Sequence, residues 1–131
     1  MITAVDTSIL VDIITDDTQF IDASYQALQL ARKEGKLITC EVVLAELHPL
    51  LQNRLPEFLS DFSIEFLPQT FYSSLLAGES MTAYLKNKGK KDRVLPDFLI
   101  AAHALHHADR LLTSDRGFHR SYFSNLQILS P

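Results

Sequence analysis

The sequence has few glycines, prolines and cysteines. Its 131 residues include four glycines, five prolines and one cysteine, Cys40. With 47% hydrophobic and 21% charged residues, this composition excludes disordered, collagen-like and repeat-array proteins. One cysteine cannot form a disulfide framework, and Cys40 lies between strand-like and helix-like residues, which favours a small core side chain. We therefore expect one globular domain over residues 1–131.

Long hydrophobic runs are also missing. The longest uncharged apolar runs, such as residues 42–45 and 99–102, are far shorter than the roughly 20 residues that cross a bilayer. Met1 leads directly into a strand-like pattern, without the basic segment and cleavage site of a secretory signal. We therefore expect no membrane association and a cytoplasmic location.

Short strand-like runs alternate with longer helical patterns along the whole chain. The runs rich in Ile, Leu or Val that predict strands are residues 2–5, 37–39, 64–67, 110–113 and 126–129. The patterns that predict helices lie near residues 8–15, 20–34, 42–53, 56–62, 71–88 and 96–108, with a further helical turn after Asp115. This alternation predicts an α/β protein, a three-layer α/β/α sandwich with a five-stranded, mainly parallel sheet.

Two of the predicted strands end next to an aspartate. Asp6 follows the strand at 2–5, and Asp115 follows the strand at 110–113. Ligands of open parallel sheets bind at the carboxyl edge, where both side chains would lie. Each residue alone is also explained as a helix cap or a turn residue, because Asp accepts backbone N–H bonds there. It is the repetition that indicates a site.

Two further acids lie on predicted helices. Asp97 follows a proline in the first turn, on the same helical face as Ala101 and Ala104, so it should point toward the sheet. Glu46 has mostly apolar neighbours at helical spacing, including Val42 and Leu50. A carboxylate surrounded by hydrocarbon must find a cation, become protonated or reach solvent. An exposed Glu46 is the alternative.

The four acids, Asp6, Glu46, Asp97 and Asp115, come from separate segments and could meet in one pocket. No basic residue is obviously placed to neutralise them. Oxygen ligands without thiols favour Mg²⁺ or Mn²⁺. Such sites support phosphoryl displacement in many nucleases. We interpret the four acids as candidate metal ligands and catalytic residues.

Four sequence blocks carry a family resemblance: VDTSILVDI, EVVLAEL, LPDFLIAAHAL and LLTSDRGF. In this order and spacing they resemble the PIN domain, and most closely the VapC-type toxins of toxin–antitoxin pairs. The resemblance implies a magnesium-dependent endoribonuclease in which the four acids form the site. It also implies supporting roles for the hydroxyl residues Thr7 and Ser114. Many relatives carry a further acid where this chain has Gly117. The resemblance therefore implies a first metal ion but not a second.

The resemblance also implies partners. VapC-type toxins inhibit translation by cleaving RNA, are neutralised by a small antitoxin protein and form homodimers, so we expect the same of this chain. Three alternatives stay open on the residues alone. They are a nuclease acting on DNA, a phosphatase acting on another phosphoester, and a protein-interaction module with little catalytic activity.

A basic segment precedes Asp97. Residues 86–93 contain five basic residues and one acid, whereas the whole chain has a net charge of −4. We interpret this segment as a loop that guides RNA phosphates to the site, although an ordinary solvated loop has the same composition. The candidate RNA contacts are Lys88, Lys90, Lys91 and Arg93.

Other polar residues are assigned no role in the site. His103, His106 and His107 lie opposite the alanine face of their helix, so a solvated or interface face is favoured over zinc binding. Asp12 could lie at the edge of the acidic pocket or face solvent, and His119 could approach a substrate from its loop.

Overall fold

The chain folds around one parallel β-sheet. The computed structural model describes residues 1–87, 94–115 and 121–131. Within them the strands are β1 (Ile2–Val5), β2 (Lys36–Thr39), β3 (Ile64–Phe66), β4 (Arg110–Leu112) and β5 (Ile128–Leu129). Their order in the sheet is β3-β2-β1-β4-β5, and each neighbouring pair is parallel. The predicted strands are confirmed, although β5 is two residues shorter than the predicted run at 126–129.

Helices connect consecutive strands. They are α1 (Thr7–Ile14), α2 (Ile21–Glu34), α3 (Glu41–Leu51), α4 (Leu55–Asp61), α5 (Phe71–Lys86) and α6 (Leu95–His107), with a 3₁₀ turn at Gln52–Arg54 between α3 and α4. The predicted helices are confirmed within two residues at each end. The predicted helix at 42–53 ends early, at Leu51. Gln52 adopts a positive φ of 50°, which is incompatible with an α-helix.

Both faces of the sheet are covered. Successive strand residues point to opposite faces, and Thr3, Ala4 and Val5 of β1 are all buried. The consecutive residues Leu37 and Ile38 of β2 are buried as well. The order of the strands explains this, because right-handed crossovers place α1–α4 on one face and return α5–α6 across the other. The three-layer α/β/α prediction is confirmed.

The strand order reverses next to β1. The chain runs outward from β1 to β2 and β3 and then returns to β4 on the opposite side of β1. The carboxyl ends of β1 and β4 therefore lie side by side, with Val5 paired to Leu112. Such a reversal opens a crevice at the carboxyl edge where ligands bind in open α/β sheets. Asp6 and Asp115 follow these two strands.

Helix α6 is buried on more than one side, which corrects the prediction for His103 but not for His106, which is exposed. His103 is 1% exposed, and its Nε2 donates a hydrogen bond to the Leu67 carbonyl at 2.7 Å. Burial lowers the pKa of His103. The predicted solvated or interface face is wrong for this residue, because α6 packs against both α5 and the sheet and a helix enclosed in this way has little wet surface.

Two compositional predictions can be compared with the described residues. Cys40 is 1% exposed in the core, as its position indicated. No helix in residues 1–87, 94–115 and 121–131 is both long and apolar enough to span a membrane.

Candidate active site

Asp6 is the most strongly bonded of the four candidate acids. It is buried at the end of β1 and forms the N-cap of α1. Its Oδ1 accepts the Thr7 backbone N–H at 2.8 Å. Its Oδ2 accepts the hydroxyl of Ser8 at 3.0 Å and that of Thr113 at 2.6 Å. Three donors to one carboxylate hold it in a single orientation.

The same hydrogen bonds connect the end of β1 to the end of β4. The Thr113 hydroxyl accepts the backbone N–H of Asp115 at 3.1 Å, and the Ser8 hydroxyl accepts that of Ser114 at 3.3 Å. Both hydroxyls therefore accept a backbone N–H from the residues after β4 and donate their own hydrogen to Asp6. This arrangement fixes the backbone that carries Asp115 relative to Asp6.

Sequence reasoning selected the hydroxyl residues Thr7 and Ser114 as supports of the site. The Thr7 hydroxyl donates to Glu46 and the Thr7 backbone N–H donates to Asp6, whereas Ser114 donates its backbone N–H to the Ser8 hydroxyl. Ser8 and Thr113 bind Asp6 and were missed. The only sequence signal for them is a hydroxyl residue two positions after Asp6 and another two positions before Asp115.

Glu46 lies on α3 at the surface. Its Oε1 accepts the Thr7 hydroxyl at 2.7 Å, which links α3 to the first residue of α1. The prediction that hydrocarbon surrounds this carboxylate is wrong, because Glu46 is exposed. The buried face of α3 consists of Val43, Leu47 and Leu51, which recur every four residues and leave Glu46 on the edge of the helix.

Asp97 lies half-buried in the first turn of α6. Its pKa is raised to about 6, first by desolvation and then by the negative charges of Asp6, Glu46 and Asp115. The charges of acids on three other segments thus act on one carboxyl group. The structure brings all four predicted acids into one electrostatic neighbourhood at the carboxyl edge of the sheet.

Two ion pairs of the described residues, Lys36 with Glu65 and Arg110 with Glu34, lie on other parts of the chain. Carboxylates whose charges raise the pKa of Asp97 are donors that a hard divalent cation takes up. By donor type and charge, the four acids fit Mg²⁺ or Mn²⁺.

The acids are not already drawn together around one point. No group of three His, Cys, Asp or Glu side chains in the described part of the chain stands close enough to hold an ion.

Some predicted features lie outside the described residues. The candidate RNA contacts Lys88, Lys90, Lys91 and Arg93 fall within residues 88–93, and Gly117 and His119 fall within residues 116–120. The predicted helical turn after Asp115 falls there as well.

Replacing Thr113 with Val should weaken both the fold and the site. Valine keeps the shape but removes a buried donor to Asp6 and the acceptor of the Asp115 N–H. We expect a loss of about 2 kcal/mol in the free energy of unfolding, measured by urea denaturation with chelator present. Thr113→Ser keeps the hydroxyl and should retain more cleavage activity than the valine variant. Equal activity of the two variants would mean that the hydroxyl does not support the site.

Comparisons with known proteins agree with this architecture. Residues 3–124 match the PIN domain family. The structure is similar to VapBC2 from Rickettsia felis, bound to a DNA fragment from their promoter, with 26% identity, a TM-score of 0.76 and coverage of 99% of this chain and 98% of that chain. No curated protein matches the chain.

Two more distant structures share the fold. VapBC-1 from nontypeable Haemophilus influenzae has 19% identity and a TM-score of 0.74, covering 99% of this chain and 98% of that chain. VapC20 from Mycobacterium tuberculosis, described as a Sarcin-Ricin loop cleaving toxin, has 16% identity and a TM-score of 0.67, covering 95% of this chain and 98% of that chain. Since the family match spans nearly the whole chain and the sheet has the same architecture, this protein belongs to the PIN domain family.

Proposed function

We propose that this protein is a cytoplasmic, Mg²⁺- or Mn²⁺-dependent endoribonuclease and the toxin of a toxin–antitoxin pair. One observation carries the proposal: Asp97 has a pKa raised to about 6 by burial and by the charges of Asp6, Glu46 and Asp115. Carboxylates gathered at the carboxyl edge of a parallel sheet are suited to a divalent cation and a phosphodiester. Membership of the PIN domain family, a nuclease family, supports this reading.

The surroundings of each acid indicate its role in the proposed site. Asp6, Asp97, Asp115 and Glu46 would hold the cation, which when bound offsets the negative charge of the phosphodiester. Asp6 is fixed by three hydrogen bonds, and two of the donors are hydroxyls that also hold the backbone of Ser114 and Asp115. Asp97 is half-buried, and the negative charges of the other three acids contribute to its raised pKa; a bound cation would offset that repulsion.

Glu46 has a second role open to it. The Thr7 hydroxyl holds its carboxylate in one orientation at the rim of the site, although the side chain is exposed. From there it can act as a ligand or orient the attacking water. The proposal keeps both roles, since both place a carboxylate oxygen toward the scissile phosphate.

RNA is the proposed substrate. The basic residues Lys88, Lys90, Lys91 and Arg93 directly precede α6 in the sequence, and in this proposal they bind the phosphates on the way to Asp97. The net charge of −4 does not oppose RNA, because removing the four site acids leaves a balanced remainder. The description of the Mycobacterium tuberculosis VapC20 as a Sarcin-Ricin loop cleaving toxin supports RNA as the substrate class.

The proposed partners are a small antitoxin protein and a second copy of this chain. VapBC2 from Rickettsia felis was solved with a DNA fragment from their promoter, which supports an antitoxin that also binds DNA. An adjacent reading frame encoding a small DNA-binding protein would agree with this assignment. Coexpression of the two proteins should then suppress the nuclease activity.

The test of the function is cleavage of a panel of single-stranded and hairpin RNAs. We expect cleavage with Mg²⁺ or Mn²⁺ that stops when a chelator is added and returns with excess Mg²⁺, because the proposed ligands are all hard oxygen donors. DNA of the same sequences is the substrate control. Cleavage that persists in chelator, or that needs zinc alone, would contradict the proposal.

A further inference from the structure

Two adjoining clefts open beside the acidic site. The larger, of about 310 Å³, is lined by Ser8, Val11, Asp12, Phe20 and Ser114. The smaller, of about 190 Å³, shares Phe20 and Ser114 with it and continues toward the last residues of the chain. Their volumes are at or below the lower limit for ligand clefts. The space therefore suits one ring system, such as a single base, rather than a second nucleic-acid strand.

The larger cleft is continuous with the acids. Ser8 lines it and donates to Asp6, and Ser114 lines it and precedes Asp115. Val11 and Asp12 follow Ser8 by three and four residues on α1, so these three side chains share one helical face. A nucleotide whose phosphate lies at the acids can therefore place a neighbouring base in this cleft.

An exposed aromatic ring forms one side of the cleft. Phe20 is 49% exposed, although the backbone that carries it is held in place. The Asp17 carboxylate accepts the backbone N–H of Gln19 at 2.9 Å and of Phe20 at 3.0 Å, and the Asp17 carbonyl accepts that of Ile21 at 2.9 Å. A solvent-facing aromatic ring on a fixed turn is a stacking platform for an unpaired base.

A carboxylate lines the same cleft. Asp12 is half-buried, and its Oδ2 accepts the hydroxyl of the buried Ser24 at 2.7 Å. This bond fixes the carboxylate while leaving acceptor capacity on both oxygens, since an ionised carboxylate has about four acceptor sites. A group that pairs with it must offer N–H donors. Among the four RNA bases, guanine offers two adjacent donors on its Watson–Crick edge, the N1–H and the 2-amino group.

We propose that this cleft binds an unpaired guanine next to the scissile phosphate, stacked on Phe20 and hydrogen-bonded to Asp12. The proposal rests on the proposed ribonuclease function and adds a sequence preference to it. Phe20 supplies affinity for any base, and Asp12 selects guanine by its two donors. Phosphate groups are kept from the cleft by the charge of Asp12.

Modified oligonucleotides test the two contacts separately. In an RNA that the protein cleaves, each nucleotide near the cut is replaced in turn by an abasic nucleotide, and guanines are replaced by inosine, which lacks the 2-amino group. At one position we expect the abasic change to lower kcat/KM roughly tenfold, within the range for loss of one base stacked on an aromatic ring. At that position, replacing guanine with inosine should lower kcat/KM several-fold.

Variants assign those losses to the side chains. Phe20→Ala should lower kcat/KM roughly tenfold on the unmodified RNA and have no further effect on the abasic RNA. Asp12→Asn keeps an oxygen for Ser24 but should abolish the preference for guanine over inosine. Phe71→Ala and Asp61→Asn are matched controls, because both side chains are exposed and line neither cleft, and they should behave as wild type.

Fluorescence gives a readout that does not need cleavage. A 2-aminopurine at the sensitive position should be quenched when wild-type protein binds with Ca²⁺ in place of Mg²⁺, and the quenching should be lost in Phe20→Ala. If RNA is cleaved with no position that depends on Phe20 and Asp12, the guanine site is wrong and the ribonuclease function stands. If no RNA is cleaved, the proposed function fails, and the guanine site, which rests on it, fails with it.

Discussion

Asp97→Asn is expected to reduce cleavage at least roughly a hundredfold and to make the cation-free protein more stable. The amide is nearly the same shape as the carboxyl group but binds a hard cation poorly. Stability rises because the substitution removes a charge that is half-buried among three others. A shift in pKa from 3.8 to about 6 corresponds at most to about 3 kcal/mol, and solvent screening reduces the expected gain to about 1–2 kcal/mol.

The gain in stability should depend on pH. The pKa of Asp97 is higher in the folded protein than its ordinary value of 3.8, so the folded state binds the proton more tightly than the unfolded chain. The contribution of Asp97 to stability therefore falls as pH rises from about 4 to about 6 and is lowest above that range. The difference between Asp97→Asn and wild type should grow over this interval and stay constant above it.

Paired denaturation curves in chelator measure this difference. Burial lowers the pKa values of His103 and His107, which alone would make stability fall as pH drops below about 6.5. Both histidines are present in both proteins, so their effects cancel in the difference. Excess Mg²⁺ should stabilise wild type more than the variant, because the cation binds the folded state. A variant that is less stable than wild type at pH 7 in chelator would contradict the shared pocket.

Asp6→Asn is expected to lose cleavage in the same way but to destabilise the cation-free protein, by about 2 kcal/mol. On sequence grounds, relief of repulsion predicts a gain at Asp6 as well. The hydrogen bonds reverse this expectation. The hydroxyls of Ser8 and Thr113 both donate to Oδ2 and already accept the backbone N–H groups of Ser114 and Asp115.

An amide at position 6 cannot satisfy that set of donors. In one orientation of the amide its NH₂ group would face the two hydroxyls, and in the other it would face the backbone N–H of Thr7. A buried donor that faces another donor costs about 1–3 kcal/mol. The two Asp→Asn variants thus have the same effect on cleavage and opposite effects on stability. Thermal denaturation of both in chelator checks the pair. A stabilised Asp6→Asn protein would show that repulsion outweighs the hydrogen bonds.

The fold could be predicted from the sequence, and so could the position of the four acids near the carboxyl edge of the sheet. Buried parallel strands are recognisable as short apolar runs, and Asp6 and Asp115 follow two of them. The surroundings of the acids could not be predicted as well. Helical spacing shows which residues share a face but not which face is covered, so Glu46 was expected among hydrocarbon and His103 at the surface. Both errors concern the packing of one helix against others.

The hydroxyl groups around Asp6 illustrate a second limit. Thr113 was placed at the end of a predicted strand, but nothing local indicates that its hydroxyl reaches Asp6. That contact depends on β4 lying beside β1, and the two residues are 107 positions apart. Likewise, the cleft between α1 and α2 depends on how the two helices pack, and Asp12 therefore could not be assigned to a pocket or to solvent.

The distance in sequence between Asp6 and Thr113 has a consequence for biosynthesis. β1 is synthesised before β2 and β3, and its neighbour β4 (Arg110–Leu112) follows all three. Parallel pairings between distant segments form late, because the long loop between them must close before any contact stabilises it. A nascent chain therefore cannot complete the Asp6 network until residue 113 has left the exit tunnel.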